Sequence, residues 1–273
     1  MVTRRQFLVC SGAVTLGAVV GGCSTMGSEI LNQSAHRPWP IPKTPWVLSM
    51  SWHELLFAHW PVPIALIRPL IPDILEIDAF DGWGWIGVVP FRMSGVLPRY
   101  FPIPLAFPEL NVRTYVKMRD RSGVWFFSLD AASWLSVRAA RWFGLPYYDA
   151  RMTVQIEGDV VGYDSVRTHK NAFPAEFGAK YNPTSPVYYS APGTLDHWLT
   201  ERYALYGALK PGQVVYGEIH HMQWPLQRAE VELRTNTMTR ASGFDLPDIK
   251  PICHFARRQE VVAWPIVPIE RMQ

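Results

Sequence analysis

The sequence predicts an α+β fold, with a mainly antiparallel, barrel-like β-sheet and a few flanking helices. Three observations carry that expectation. Strand-like runs outnumber helix-like ones. Asp81-Gly82 sits between aromatic and β-branched runs, a strong two-residue hairpin signal. No glycine-rich phosphate loop follows a strand, which leaves the nucleotide-binding α/β folds without support.

In chain order, residues 51–57 read as a short helix capped by Ser51, and residues 63–70 as a second, with Pro63 in its first turn and Pro72 ending it. Residues 75–80 and 83–91 flank the hairpin dipeptide. Residues 109–118 alternate, and residues 124–129 form the continuous apolar run of a strand buried on both faces. Residues 131–143 read as a helix capped by Asp130 and stopped at Gly144. Further strands are expected at 150–157, 187–190, 214–224 and 261–266, and a last helix at 195–205.

Charged residues make up 18% of the 273, below the ~25% usual for soluble domains, so the chain can bury a large core. A net charge of +3 with no basic cluster offers nucleic acid little footprint, and three cysteines cannot build a disulfide framework. Residues 1–22 read as a signal segment: Arg4-Arg5 followed by Gln6-Phe7-Leu8 resembles the twin-arginine export motif, and Val20-Gly21-Gly22-Cys23 resembles a lipoprotein box that places the lipid on Cys23. The alternatives are a cleaved signal without lipid or an uncleaved anchor, though the apolar run is shorter than the ~20 residues that cross a bilayer. The expected localisation is the cell envelope, by a lipid anchor. Residues 23–45, with Pro38, Pro40, Pro42 and Pro45, read as a tether, and residues 46–273 as one domain.

Candidate chemistry centres on the alternating strand. Glu109, Asn111, Arg113 and Tyr115 share one face; Leu110, Val112, Thr114 and Val116 share the other. The polar row either faces solvent or lines the lumen of a barrel, where a glutamate and an arginine four residues on can orient a small polar ligand. Glu218 and His220 share a face and could do acid–base work or hold a metal. With His53, His59, His169, His197 and His254 scattered, no metal site and no cofactor are expected. Cys253 beside His254 reads as a small core residue, and Trp83, Trp85, Trp125 and Trp134 as core candidates.

Five strings together resemble the YqjF-like proteins, a bacterial family of unknown function: residues 56–62, residues 80–82 with 85–91, residues 108–115, residues 123–130, and Phe143-Gly144-Leu145-Pro146-Tyr147-Tyr148. The resemblance covers roughly residues 46–268. It extends more distantly to acetoacetate decarboxylase and implies that enzyme's cone-shaped antiparallel β-barrel around an internal pocket. Acetoacetate decarboxylases carry Gly-Phe-Pro-Lys-Lys where this chain has Gly144-Leu145-Pro146-Tyr147-Tyr148, and the first lysine forms the Schiff base. A phenol cannot form an imine, so Schiff-base decarboxylation is excluded at this position. The resemblance places a pocket glutamate near Glu109 or Asn111. The expectation is therefore a pocket lined by Glu109, Asn111, Arg113, Tyr147 and Tyr148, holding a small organic molecule such as a carboxylate, with Arg113 on the anion. The alternatives are a lysine-independent enzyme with Glu109 as base, or a structural envelope protein. The sequence leaves the oligomeric state open.

Overall fold

The computed structural model describes residues 30–99, 103–210 and 212–272. The signal segment, with Arg4, Arg5 and Cys23, lies outside the described residues. In chain order the elements are β1 (Leu48–Val62), α1 (Ile64–Ile67), β2 (Glu76–Ile77), β3 (Gly84–Pro98), β4 (Leu105–Met118), β5 (Arg121–Ala131), α2 (Trp134–Trp142), β6 (Tyr147–Glu157) and β7 (Val160–Arg167). They continue with β8 (Glu176–Pro183), α3 (Leu195–Thr200), β9 (Ala204–Lys210), β10 (Gln213–His221), β11 (Gln227–Asn236), β12 (Ile252–Ala263) and β13 (Val267–Pro268).

The core of the architecture is the sheet β5-β4-β3-β1-β12, antiparallel throughout. Its two outer strands change partners along their free edges. On β5, Val124 and Trp125 pair in parallel with β9, whereas Leu129, Asp130 and Ala131 pair in parallel with β6. On β12, Phe255 and His254 pair with β11, whereas Val261, Val262 and Ala263 pair with β10. Two further layers therefore spring from the same edges. The antiparallel set β6-β7-β8-β11 covers one face and buries Leu56, Val88, Leu110 and Val112 against Tyr163, Phe177 and Tyr181. β9, β10 and α3 cover the other, where Trp85, Tyr115, Val124 and Leu199 pack together. Both faces of the middle strands are thus internal.

Local chemistry explains where sequence expectations hold and where they yield. Asp81 and Gly82 have φ of +50° and +78°, joining Phe80 to Trp83 in the tight turn that an Asp-Gly pair favours. β2, however, pairs with β4 rather than with β3. Residues 51–57 are strand, not helix: β1 lies between β12 and β3, and ladder bonding on both edges overrides the helical propensity of Glu54-Leu55-Leu56. Glu54 takes φ +46° where the β1–β3 register shifts. Helix α2 is capped by Ser133, whose Oγ accepts from Ser136 N, while Asp130 stays in β5. Gly144 does end α2, at φ +83°, and a Cβ there would stand 2.8 Å from Leu209 N.

The expected helix at 195–205 stops at Thr200 because Ala204 onward is paired into β9. Residues 187–190 contribute one bridge, Tyr188 to Leu226. Trp85 and Trp125 are buried as expected, but Trp83 and Trp134 are exposed. Residues 30–45, read as tether, lie against β10. The buried Arg37 donates to Ile219 O at 2.7 Å and pairs with Glu218 at 2.9 Å, and Trp39 Nε1 donates to the same carboxylate. An aromatic surface and a buried charge give this stretch contacts that a free tether lacks.

At the β6 end of β5, the carboxylate of Asp130 receives both Nε and Nη2 of Arg167, at 2.8 and 2.6 Å, and both side chains are buried. Removing one partner of such a pair strands the other charge. Asp130→Ala is expected to lower the unfolding free energy by about 3–5 kcal/mol in urea denaturation at pH 7, with Arg167→Met recovering part of it. A loss in the range of an exposed pair, about 0–1 kcal/mol, would overturn that assignment.

Candidate functional site

β4 turns its polar row toward the β9/β10/α3 side. Because that side is covered, the row is internal: Glu109 is 3% exposed, and Asn111 and Tyr115 are buried. The Tyr147 hydroxyl donates to Glu109 Oε2 at 2.8 Å. Burial pushes the Glu109 carboxyl up to about 8; the nearby Asp130 charge adds to this and the Tyr147 hydrogen bond opposes it. At neutral pH Glu109 is therefore mainly a neutral acid, able to donate a proton or a hydrogen bond. Asn111 lies between Val89 and Leu129, and its Oδ1 finds no hydrogen-bond partner among the described residues.

Arg113 continues the row. Its guanidinium carbon stands 5.3 Å from the Phe57 ring and 5.8 Å from the Tyr115 ring, and Nη2 reaches Leu199 O at 3.5 Å. Gly87 of β3 lies between Arg113 on β4 and His59 on β1 in the pairing register. A Cβ at Gly87 would stand 3.1 Å from the His59 ring and 3.3 Å from Arg113 Cγ, so the absent side chain lets these two groups close over the strand. The Tyr115 hydroxyl donates to Leu199 O at 2.8 Å and lies 2.7 Å from His59 Nε2. With the one phenolic proton spent on Leu199, His59 Nε2 carries its own proton and Nδ1 keeps the lone pair. Burial, with Arg113 adding, holds the His59 imidazole well below its usual range.

A second imidazole shares this face. His254 is fully buried on β12, opposite Phe57, and its Nε2 lies 3.0 Å from Asp196 Oδ1 at the start of α3. Asp196 also accepts from the Tyr188 hydroxyl at 2.9 Å and forms an ion pair with Arg228 Nη2 at 3.0 Å. His254, first among these partners, holds the Asp196 carboxyl down to about 2. Nδ1 of both histidines is buried without a partner among the described residues.

The structure therefore groups Glu109, Asn111, Arg113 and Tyr147 on one internal face, with Glu109 and Tyr147 in direct contact. Tyr148 is not among them. As the next residue on β6 it points the opposite way, beneath the Arg167 guanidinium carbon at 4.1 Å, into an open groove outside β5. Glu218 and His220 are on the outer side of β10, tied to the segment that precedes β1: Glu218 to Arg37 and Trp39, and His220 to Ile30 O. Among the described residues no three His, Cys, Asp or Glu side chains are placed to hold a metal ion. His59, His254 and Asp196 escaped the sequence reading because they lie far apart in the chain. The available signal was the Phe57/His59 spacing of two, legible only once residues 51–57 are a strand.

A family model for an uncharacterized conserved protein family, DUF2071, matches residues 49–260. The chain belongs to DUF2071. A curated relative, the uncharacterized protein YqjF of Bacillus subtilis, is 43% identical over 230 residues, spanning 83% of this chain and 94% of the relative. Among solved structures, an acetoacetate decarboxylase-like enzyme from Sphingomonas wittichii superposes with a TM-score of 0.57 at 14% identity, covering 86% of this chain and 97% of that one. The enduracididine biosynthesis enzyme MppR complexed with pyruvate superposes at 0.56 and 10% identity, covering 85% and 93%. These likenesses place this DUF2071 member in the acetoacetate decarboxylase-like fold.

Glu109 also ties the site to stability. Its carboxyl titrates near 8 when folded and near 4.5 ordinarily, so the folded state holds the proton more tightly. Its contribution is full below about 4.5 and is lost as pH rises through about 8. Thermal unfolding at pH 5, 7 and 9 should show Glu109→Gln gaining on the wild type as pH rises. Parallel profiles would refute the shifted carboxyl.

Proposed function

We propose that this DUF2071 protein is an exported, lipid-anchored binding protein whose internal site takes a small organic carboxylate. The observation that carries this reading is Arg113. Its guanidinium meets aromatic rings and one backbone carbonyl, and no carboxylate of the described residues lies within ion-pair distance. A partly buried cation without a counterion is costly, and an anionic ligand supplies the missing charge. Protonated Glu109 adds a donor for a carbonyl or carboxylate oxygen, and Asn111 an amide. The pyruvate complex of MppR gives the same reading a precedent on a similar fold. The closed barrel expected from the sequence fits this site, since the partner changes on β5 and β12 lead the pairings β5-β4-β3-β1-β12-β10-β9 back to β5.

The reading excludes imine chemistry. Tyr147 occupies the internal position that follows Gly144-Leu145-Pro146. Lys43, Lys170, Lys180, Lys210 and Lys250 are exposed, and Lys117 pairs with Glu76 at the surface. A second reading, lysine-independent catalysis, draws on one observation: the buried His254 imidazole stands 3.0 Å from the Asp196 carboxylate. Export and lipidation rest on Arg4, Arg5 and the Cys23 box. Intact mass of the membrane fraction should show a diacylated chain beginning at Cys23.

Thermal-shift titration with pyruvate, acetoacetate and short-chain carboxylates tests the site. At a ligand concentration of 100 Kd the wild type should gain about 2.7 kcal/mol, and Arg113→Ala should lose that gain. Ligand recovered unchanged supports binding, and turnover abolished by His254→Ala supports the enzyme. A panel that shifts neither protein would sink both.

A further inference from the structure

The partner change on β5 has a second product. Between Trp125, paired with β9, and Leu129, paired with β6, the two neighbouring strands part. The turn after α2 wedges this opening: Gly144 packs on the Leu209 backbone and Leu145 against Gly207. Outside the wedge lies an open groove of about 450 Å³, within the ~300–1,000 Å³ of small-molecule sites. Trp125, Phe127, Leu145 and Leu209 give it apolar walls, with Ala241 among the residues lining it.

Two features mark the occupant. Arg141 also lines the groove. Its guanidinium donates once, to Tyr147 O at 2.7 Å, stands 5.6 Å from the Tyr148 ring, and has no carboxylate within ion-pair distance among the described residues. Next to the groove, the end of α2 leaves Trp142 81% and Phe143 53% exposed, an apolar lip. A groove with apolar side chains along its walls and an exposed guanidinium that meets no carboxylate among the described residues is complementary to a chain with an anionic head.

We propose that this groove binds a single-chain anionic amphiphile, such as a medium- or long-chain carboxylate, with its hydrocarbon along Trp125, Phe127 and Leu209 and its head on Arg141. The groove lies outside β5, apart from the internal row, and does not depend on that row having a ligand.

The test is titration calorimetry on the full chain carrying Cys23→Ala, with octanoate, decanoate and dodecanoate below their micelle concentrations and dodecanol as the neutral control. Affinity should rise about fourfold per added methylene. Ala241→Trp should abolish binding by filling the groove. Arg141→Ala should weaken dodecanoate at least tenfold and dodecanol little. Run in an Arg113→Ala background, which removes the anion contact of the internal site, the series should keep its chain-length slope and its loss on Arg141→Ala, and this separates the groove from the internal site. No binding, a flat chain-length series, binding indifferent to Ala241→Trp, or equal losses for dodecanoate and dodecanol in Arg141→Ala would each overturn the proposal. So would association with phosphatidylglycerol vesicles without binding of monomeric dodecanoate, which would make this face a membrane-docking surface instead.

Discussion

Strands β5 and β12 each bond to one neighbour along one edge and to two different neighbours along the other. From that constraint follows most of the molecule. A single sheet with free faces would leave β4 half solvated. Branching at both outer strands instead supplies a layer for each face, so alternate residues of β4 enter two separate interiors. One interior takes Leu110 and Val112 and is apolar. The other receives Glu109, Asn111, Arg113 and Tyr115, whose polar groups must find partners or remain ready for a ligand.

How those buried charges are balanced distinguishes structure from site. Asp130 and Arg167 pair at the branch, and Asp78 pairs with Arg202, whose guanidinium also stacks over Tyr115 and Trp198. Asp196 is shared by His254, Tyr188 and Arg228. Glu109 resolves its own burial by keeping its proton. Arg113 meets no carboxylate within ion-pair distance among the described residues. Among these buried charged groups of the described residues, Arg113 is the one without a carboxylate beside it.

The sequence made much of this legible, for physical reasons that differ by element. The period of two on β4 identified the polar row, and the continuous apolar run of β5 announced burial on both faces. Which way the polar row pointed was open, since alternation is the same whether the covered face is one or both. The helix expected at 51–57 fell to tertiary pairing, and with it went the alternation that would have aligned His59 with Phe57. β7, β8 and β11 were missed, although Ala229, Val231 and Leu233 alternate with charged residues in the pattern of a half-buried strand. Arg37 and Trp39 lay in proline-rich sequence, and only their partner Glu218, 181 residues from Arg37, reveals that they are held.

Tyr147 and Tyr148 are chemically identical neighbours that serve opposite sides of one strand, the first inside against Glu109 and the second outside beneath Arg167. Their assignment is made by the three-residue turn before them, not by anything in their own side chains. One residue inserted or deleted between Gly144 and Pro146 would slip β6 by a single position and exchange the two compartments. In this chain the length of that turn is therefore as much a determinant of what faces the interior as the identity of any residue there, and a single insertion would rewrite the interior-facing side of β6 without a substitution inside it.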